Sequence, residues 1–319
     1  MSPDGQKVIY FRSSVKPTEY YSVISNSRGE TLWSAKVTDF FVSWKWFNSQ
    51  YVVRYDFQED NTYTLKLLDP FDNKTLQLET KFPDSFMFTE DWYKSGWIGW
   101  RFIEPVYNQD MTRALYKGSV DYKKDKYPIV IWDVEKKQAI AQVDLRDFTS
   151  GTPFWLPDGR QFIITAQVEN NSDIFAKEFL LIDDNGQVKQ LTDFSRDLDQ
   201  VLIRDNYSLS PDGRYVAFWI VKNTIPDAKG FQVDDARLAV LDIRAGAVTD
   251  FCINGSAFAD NATTPSPPVW SPDSNKLLVV SRPPEDTKVR RVIMVDVEND
   301  RAVWINSDIE PVGWMVSLR

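Results

Sequence analysis

Histidine is absent from all 319 residues, and Cys252 is the single cysteine. These two facts remove most side-chain chemistry. A Ser-His-Asp triad, a histidine general base and a histidine-ligated metal are all impossible. So are an intrachain disulfide, a cysteine metal cluster and a Cys-His nucleophile. Cys252 is expected to be a buried strand residue. Carboxylates and aromatic rings remain. Paired carboxylates for glycoside cleavage are a matter of spatial separation, and no spacing here points to such a pair. Asp193, Asp197 and Asp199 offer calcium-type oxygens without EF-hand spacing, so no metal site is expected. No Gly-rich phosphate loop or dinucleotide fingerprint occurs. The chain is therefore expected to be no enzyme, with no catalytic residues and no cofactor.

Three groups of residues are candidates for ligand or partner binding. Tyr107, Asp110 and Arg113 lie in a run from about Glu104 to Tyr127 that reads as a long loop, and such loops are usually functional or mobile. Arg146-Asp147 and Arg196-Asp197 fall in connections entering inner strands, where mixed charge could hold a carboxylate or a cation, or equally fix one sheet to the next. Trp97 and Trp100 crowd one segment with Trp92. An exposed ring there could stack on a sugar or anchor a partner, while packing between sheets is the alternative. A second long loop is expected between Val221 and Ala236, and the connection from Asn254 to Pro268, rich in Ser, Thr, Pro and Ala, reads as a flexible crossing.

These residues must be positioned by a repeated unit. Ser210-Pro211-Asp212-Gly213 is a tight turn, with Pro presetting φ, Asp bonding the local backbone and Gly accepting positive φ. The strand-like run Tyr215-Val216-Ala217-Phe218-Trp219 follows it. Plain copies of the turn are Ser2-Pro3-Asp4-Gly5, Leu156-Pro157-Asp158-Gly159 and Ser271-Pro272-Asp273-Ser274. Degenerate copies are read at Trp46–Val53 and Trp92–Gly99. A second marker, a strand ending in Asp, occurs at Asp69, Asp133, Asp183, Asp242 and Asp296, with Asn26 in the first unit. Both markers count six units. Each has a short strand before the turn, often ending in Trp, and an outer strand after the Asp. The expected fold is all-β: a six-bladed β-propeller of four-stranded antiparallel blades. Blade boundaries fall near 1–36 with 310–319, then 37–80, 81–145, 146–193, 194–252 and 253–309, within one domain. The run Pro311–Leu318 is expected to supply the first blade's missing strand and close the ring.

Net charge is −9 and 43% of the residues are hydrophobic. That balance fits a packed, soluble core and disfavours nucleic acid. No apolar run approaches the ~20 residues of a membrane span, so this domain is expected to make no membrane contact and to be monomeric. Most of the 12 Trp are expected in the core. The start at Met1-Ser2-Pro3-Asp4-Gly5, inside a unit, suggests that a signal or anchor lay upstream.

The units resemble the TolB-like propellers, whose blades carry a Trp-Ser-Pro-Asp-Gly hairpin. Trp270-Ser271-Pro272-Asp273 is the nearest match, Trp155-Leu156-Pro157-Asp158-Gly159 loses the Ser, and blades two and three lack Pro-Asp-Gly. The resemblance spans the chain and implies six blades, export to the periplasm or cell surface, and protein or small-ligand binding. The same blades also resemble the propeller that gates prolyl-oligopeptidase-type enzymes. In either case the motif residues build turns and say little about function. A protein or peptide partner, bound by the face opposite the Pro-Asp-Gly turns, is the expected function. A carbohydrate-binding or polysaccharide-processing propeller using exposed Trp and carboxylates is the alternative. Cytoplasmic residence is the alternative to export.

Overall fold

The computed structural model describes residues 2, 6–13, 20–26, 28–37, 45–47, 50–57, 62–69, 72, 74–82, 105–118, 127–146, 152–168, 177–194, 202–203, 206–226, 232–255, 257–258, 266–282, 290–307, 311 and 314. The chain is an all-β, six-bladed propeller, each blade an antiparallel sheet. It divides into two compact units, Met1–Ser85 with Val312–Arg319, and Phe86–Pro311.

The first unit holds two blades. One contains β1 (Lys7–Ser13), β2 (Tyr20–Asn26) and β3 (Thr31–Val37), and the other β4 (Lys45–Trp46), β5 (Val52–Phe57), β6 (Thr62–Asp69) and β7 (Lys74–Lys81). Ile24, Val52 and Leu68 pack between them. The degenerate turn read at Trp46–Val53 is indeed the β4–β5 connection. The expected closing strand Pro311–Leu318 lies, apart from Pro311 and Trp314, outside the described residues.

The second unit holds four blades. The third blade is β8 (Val106–Tyr107), β9 (Arg113–Lys117), β10 (Tyr127–Asp133) and β11 (Gln138–Leu145). The fourth is β12 (Phe154–Trp155), β13 (Gln161–Ala166), β14 (Glu178–Asp183) and β15 (Val188–Gln190). The fifth is six-stranded: β16 (Leu202–Ile203), β17 (Ser208–Leu209), β18 (Tyr215–Pro226), β19 (Gln232–Asp242), β20 (Ala247–Asn254) and β21 (Ala257–Phe258). The sixth is β22 (Val269–Trp270), β23 (Lys276–Ser281), β24 (Arg291–Asp296) and β25 (Arg301–Ser307).

The period-2 geometry of a strand lets one sequence serve two interfaces. On β18, Val216, Phe218 and Ile220 pack with Ile163 and Phe179 of the fourth blade. The alternate residues Tyr215, Ala217, Trp219 and Val221 pack with Trp270, Leu277 and Val295 of the sixth. Both faces of the sheet are therefore buried, which explains why the strand reads as a nearly continuous apolar run. In two blades the Trp before the turn adds a polar tie. Trp155 Nε1 donates to Val106 O at 2.9 Å, and Trp270 Nε1 to Ser208 O at 3.1 Å, each joining an inner strand to that of the preceding blade. Tyr207 donates its hydroxyl to Thr152 O at 2.7 Å across the next junction.

Four expectations need correction. The turn feeding the strand that pairs with β10 is Asn108–Thr112, not Trp92–Gly99, which lies outside the described residues. Consequently the run from Glu104 to Tyr127 is no single long loop, because it contains β8 and β9. Val221–Ala236 is not a loop either. Thr224, Ile225 and Pro226 pair with Asp234, Val233 and Gln232, and β21 adds to β19 at Val233 and Asp234. Finally, Cys252 does lie on a strand, but it is exposed with φ 53°. A register shift between Arg237 and Ala239 places it in a β-bulge, which turns it out of the core.

Candidate functional site

The repeated Asp at the end of each third strand has one job. Its carboxylate, or the Asn26 amide oxygen, accepts backbone N–H groups of the turn that follows. Asn26 Oδ1 takes Arg28 N and Glu30 N, Asp183 Oδ1 takes Asn185 N and Gln187 N, and Asp242 Oδ1 takes Arg244 N and Ala245 N, all at 2.8–3.0 Å. Asp133 Oδ1 does the same for Lys136 N at 2.8 Å, and Asp296 Oδ1 for Asn299 N at 3.1 Å. Each is an Asx turn, in which a short acceptor satisfies donors the ladder leaves open.

The turns before the second strands are built equally tightly. In the fifth blade Ser210 Oγ accepts Tyr215 N at 2.8 Å and donates to Asp212 Oδ1 at 2.6 Å. Asp212 Oδ1 also accepts Arg214 N at 3.0 Å, and Gly213 has φ 72°. The third blade reproduces this with other letters. Asn108 Oδ1 accepts Arg113 N at 3.0 Å, Asp110 Oδ1 accepts Thr112 N at 3.0 Å, and Met111 takes φ 60°. Neighbouring turns interlock. Asn108 Nδ2 donates to Gly159 O at 3.1 Å, Asp212 N donates to Ser274 Oγ at 3.0 Å, and Gly213 sits against the Pro157 ring.

Of the residues singled out from sequence, Tyr107, Asp110 and Arg113 fall in this third-blade turn. Tyr107 is buried at the end of β8, and Asp110 is exposed in the turn. Arg113 opens β9, where its Nη1 lies 3.3 Å from Asp133 Oδ2. The three are brought together on the Pro-Asp-Gly turn face rather than the opposite one. Arg146 stands apart, exposed after β11, where its carbonyl accepts Gln167 N at 3.1 Å. Asp147, Arg196, Asp197, Trp97 and Trp100 lie outside the described residues. Among the described tryptophans, Trp132, Trp219 and Trp270 are buried, and Trp304 on β25 is 65% exposed.

A cleft of about 430 Å³ opens on the turn face between the fifth and sixth blades. Arg214 and Tyr215 come from the start of β18, Asp242 from the end of β19, Ala247 and Thr249 from β20, and Val297 and Glu298 from the turn after β24. Arg214 Nε and Nη2 lie 3.1 and 2.9 Å from Asp242 Oδ2, and its guanidinium covers the Tyr215 ring at 4.6 Å. Trp270 stacks near that ring, with centroids 5.9 Å apart and planes 16° apart. Burial pushes the Asp242 carboxyl up, but the turn N–H groups and Arg214 outweigh it and hold the pKa below the usual value. The bond to Asp242 raises that of Arg214, and burial raises that of Tyr215. Sequence reasoning missed this cleft because its walls come from three separated turns.

The other shifted carboxyls also move down. The Thr112 hydroxyl lowers Asp110, the Ser271 hydroxyl lowers Asp273, the Lys136 N–H lowers Asp133 and the Asn299 amide lowers Asp296. Among the described residues, no group of three or more Cys, Asp or Glu is placed to hold a metal ion.

The architecture and interlocked Asp turns define a TolB-like β-propeller fold. TolB from Acinetobacter baumannii superposes with a TM-score of 0.51 at 18% identity, covering 94% of this chain and 63% of that one. The present chain thus spans less than two thirds of that protein's length. An oligogalacturonate lyase solved in complex with manganese gives a TM-score of 0.56 at 12% identity, over 95% of this chain and 74% of the other. Hydrazine synthase of Kuenenia stuttgartiensis gives 0.50 at 15% identity, over 93% and 75%. The sequence matches no protein-family model, and no curated protein matches it. At these identities the likeness establishes the fold.

Proposed function

We propose that this propeller is a non-catalytic binding or scaffold module that recognises a protein or peptide. The observation that carries the reading is the β18–β19 hairpin. It runs 12 and 11 residues, against 5–7 for the corresponding strands of the other blades in its unit. The five residues that follow Val221, up to Pro226, extend the sheet by about 17 Å at the end away from the turns. Val221 and Ala236 pack in the core shared with the sixth blade, and the paired backbone of the hairpin continues past them. Strands continued past a core offer backbone donors and acceptors to an incoming chain, and an extended peptide adds to such an edge.

The five shifted carboxyls among the described residues are lowered by turn bonds, which fits acceptors that hold turns rather than general acids. Export to the periplasm or cell surface belongs to this reading and rests on the TolB resemblance. No helix among the described residues is long and apolar enough to cross a membrane. The net charge of −9 disfavours nucleic acid as the partner.

A thermal-shift screen of peptides against oligosaccharides tests the reading, because a ligand that binds only the native state raises Tm. A reproducible rise with peptides supports it. A rise with sugars alone replaces it with the carbohydrate reading.

A further inference from the structure

We infer that the cleft between the fifth and sixth blades takes a lysine-like side chain, an aliphatic stem ending in an ammonium, presented by a peptide. The inference deepens the proposed function and rests on a peptide being the partner.

The charges in the cleft decide the sign of its ligand. Arg214 spends Nε and Nη2 on Asp242 Oδ2, and Asp242 Oδ1 holds Arg244 N and Ala245 N. This pair is neutral as a unit. Glu298, exposed on the turn after β24, is the remaining charged group in the lining, so the cleft carries a net negative charge. The chain's charge of −9 adds a long-range field of the same sign. An anion would have to compete with Asp242 for a guanidinium already matched in geometry and charge.

The walls decide the shape. Ala245, Ala247 and Val297 make an aliphatic surface, and Thr249 brings a hydroxyl. Tyr215 has Arg214 over its ring and Trp270 stacked near it, so it serves as a fixed wall rather than a platform for a planar ligand. An aliphatic sleeve with one carboxylate and one hydroxyl at its rim suits a side chain that buries methylenes and keeps a cationic head at the water boundary. The volume of about 430 Å³ holds such a side chain together with adjacent backbone.

The test uses the full chain and three capped pentapeptides, Gly-Ala-Xaa-Ala-Gly with Xaa as Lys, norleucine or Glu, titrated by calorimetry. The lysine peptide should bind more tightly than the other two. Glu298→Gln should weaken it about threefold to fivefold, as expected for an exposed charge pair. Glu135→Gln removes an exposed carboxylate from the third blade of the same unit, outside the cleft lining, and should change affinity by less than about 1.5-fold, since distant exposed charges are screened. Absence of lysine-peptide binding, equal binding of the norleucine peptide, or equal losses in the two variants would each overturn the inference. Removing the β18–β19 extension leaves the cleft in place, so the lysine peptide should still bind. Loss of lysine-peptide binding together with the extension would overturn the inference, whereas a peptide hit of the thermal-shift screen that binds this variant unchanged would overturn the extension reading and leave the cleft standing.

Discussion

The two ends of the fifth blade are built from the same two strands under opposite rules. At the turn end, Ser210, Asp212, Arg214 and Asp242 tie side chains to backbone and to one another, and neighbouring blades interlock through Pro157, Gly213 and Ser274. At the far end, β18 and β19 run on as a paired hairpin past Val221 and Ala236. One end supplies stability and the other reach. A propeller that gains its rigidity from one rim can vary the opposite one, because loss of contacts there costs little of the folding free energy.

Substitutions can break this comparison, beginning with the largest expected effect. Trp219 is fully buried, donates Nε1 to Ser266 O at 3.1 Å, and presses on Gly255, where a Cβ would collide with its ring. Trp219→Ala should lose about 3–5 kcal/mol in denaturant unfolding. Gly213→Ala adds a Cβ at positive φ directly against the Pro157 ring and should lose about 2–3 kcal/mol. Ser210→Ala leaves the buried Tyr215 N–H without its acceptor and should lose about 1–2 kcal/mol. A loss under about 0.5 kcal/mol in both Gly213→Ala and Ser210→Ala would show that the turn rim is not the source of stability. Met111→Gly sharpens the same point. It relieves a left-handed Met in the third-blade turn but adds unfolded-state freedom, so stability should change by no more than about 1 kcal/mol.

Acid should act on the same rim. Asp110, Asp133, Asp242, Asp273 and Asp296 all have folded pKa values held below their ordinary ones. Their contribution is complete above the unfolded value of about 3.9 and fades as the pH falls through the folded values. Tm should therefore change little between about pH 5 and 7 on their account and drop below about pH 4. Asp242→Asn should flatten part of that drop.

Much of the rim was legible in the sequence. Pro-Asp-Gly and the strand-ending Asp carry their own physics, and Asn26 was readable as an Asp equivalent because either oxygen can close the turn. The third-blade turn was missed because Asn108-Gln109-Asp110-Met111 keeps the hydrogen-bonding pattern while lacking both Pro and Gly. Trp92–Gly99 carried more familiar letters and drew the assignment away. The hairpin reads as a loop because Pro226, Lys229 and Asp235 are poor strand formers, yet Pro226 ends β18 without interrupting it. A lone Cys reads as buried from its type, and a bulge on β20 overrides that preference at Cys252. The cleft could not be read at all, since Arg214, Thr249 and Glu298 meet only after two blades pack.

The central claim is that the far end of the fifth blade docks a peptide's main chain, while the turn end holds the fold and takes only a side chain in its cleft. Replacing residues 222–235 by Asn-Gly would join Val221 to Ala236, which already face each other in register, by a two-residue hairpin turn. Affinity for a peptide that thermal shift identifies and that the Glu298→Gln variant binds unchanged, measured beside Tm, then decides. The account predicts at least a tenfold loss of affinity (about 1.4 kcal/mol) with Tm lowered by no more than about 3 °C. Unchanged affinity with an intact Tm would contradict it and place the binding surface elsewhere on the propeller.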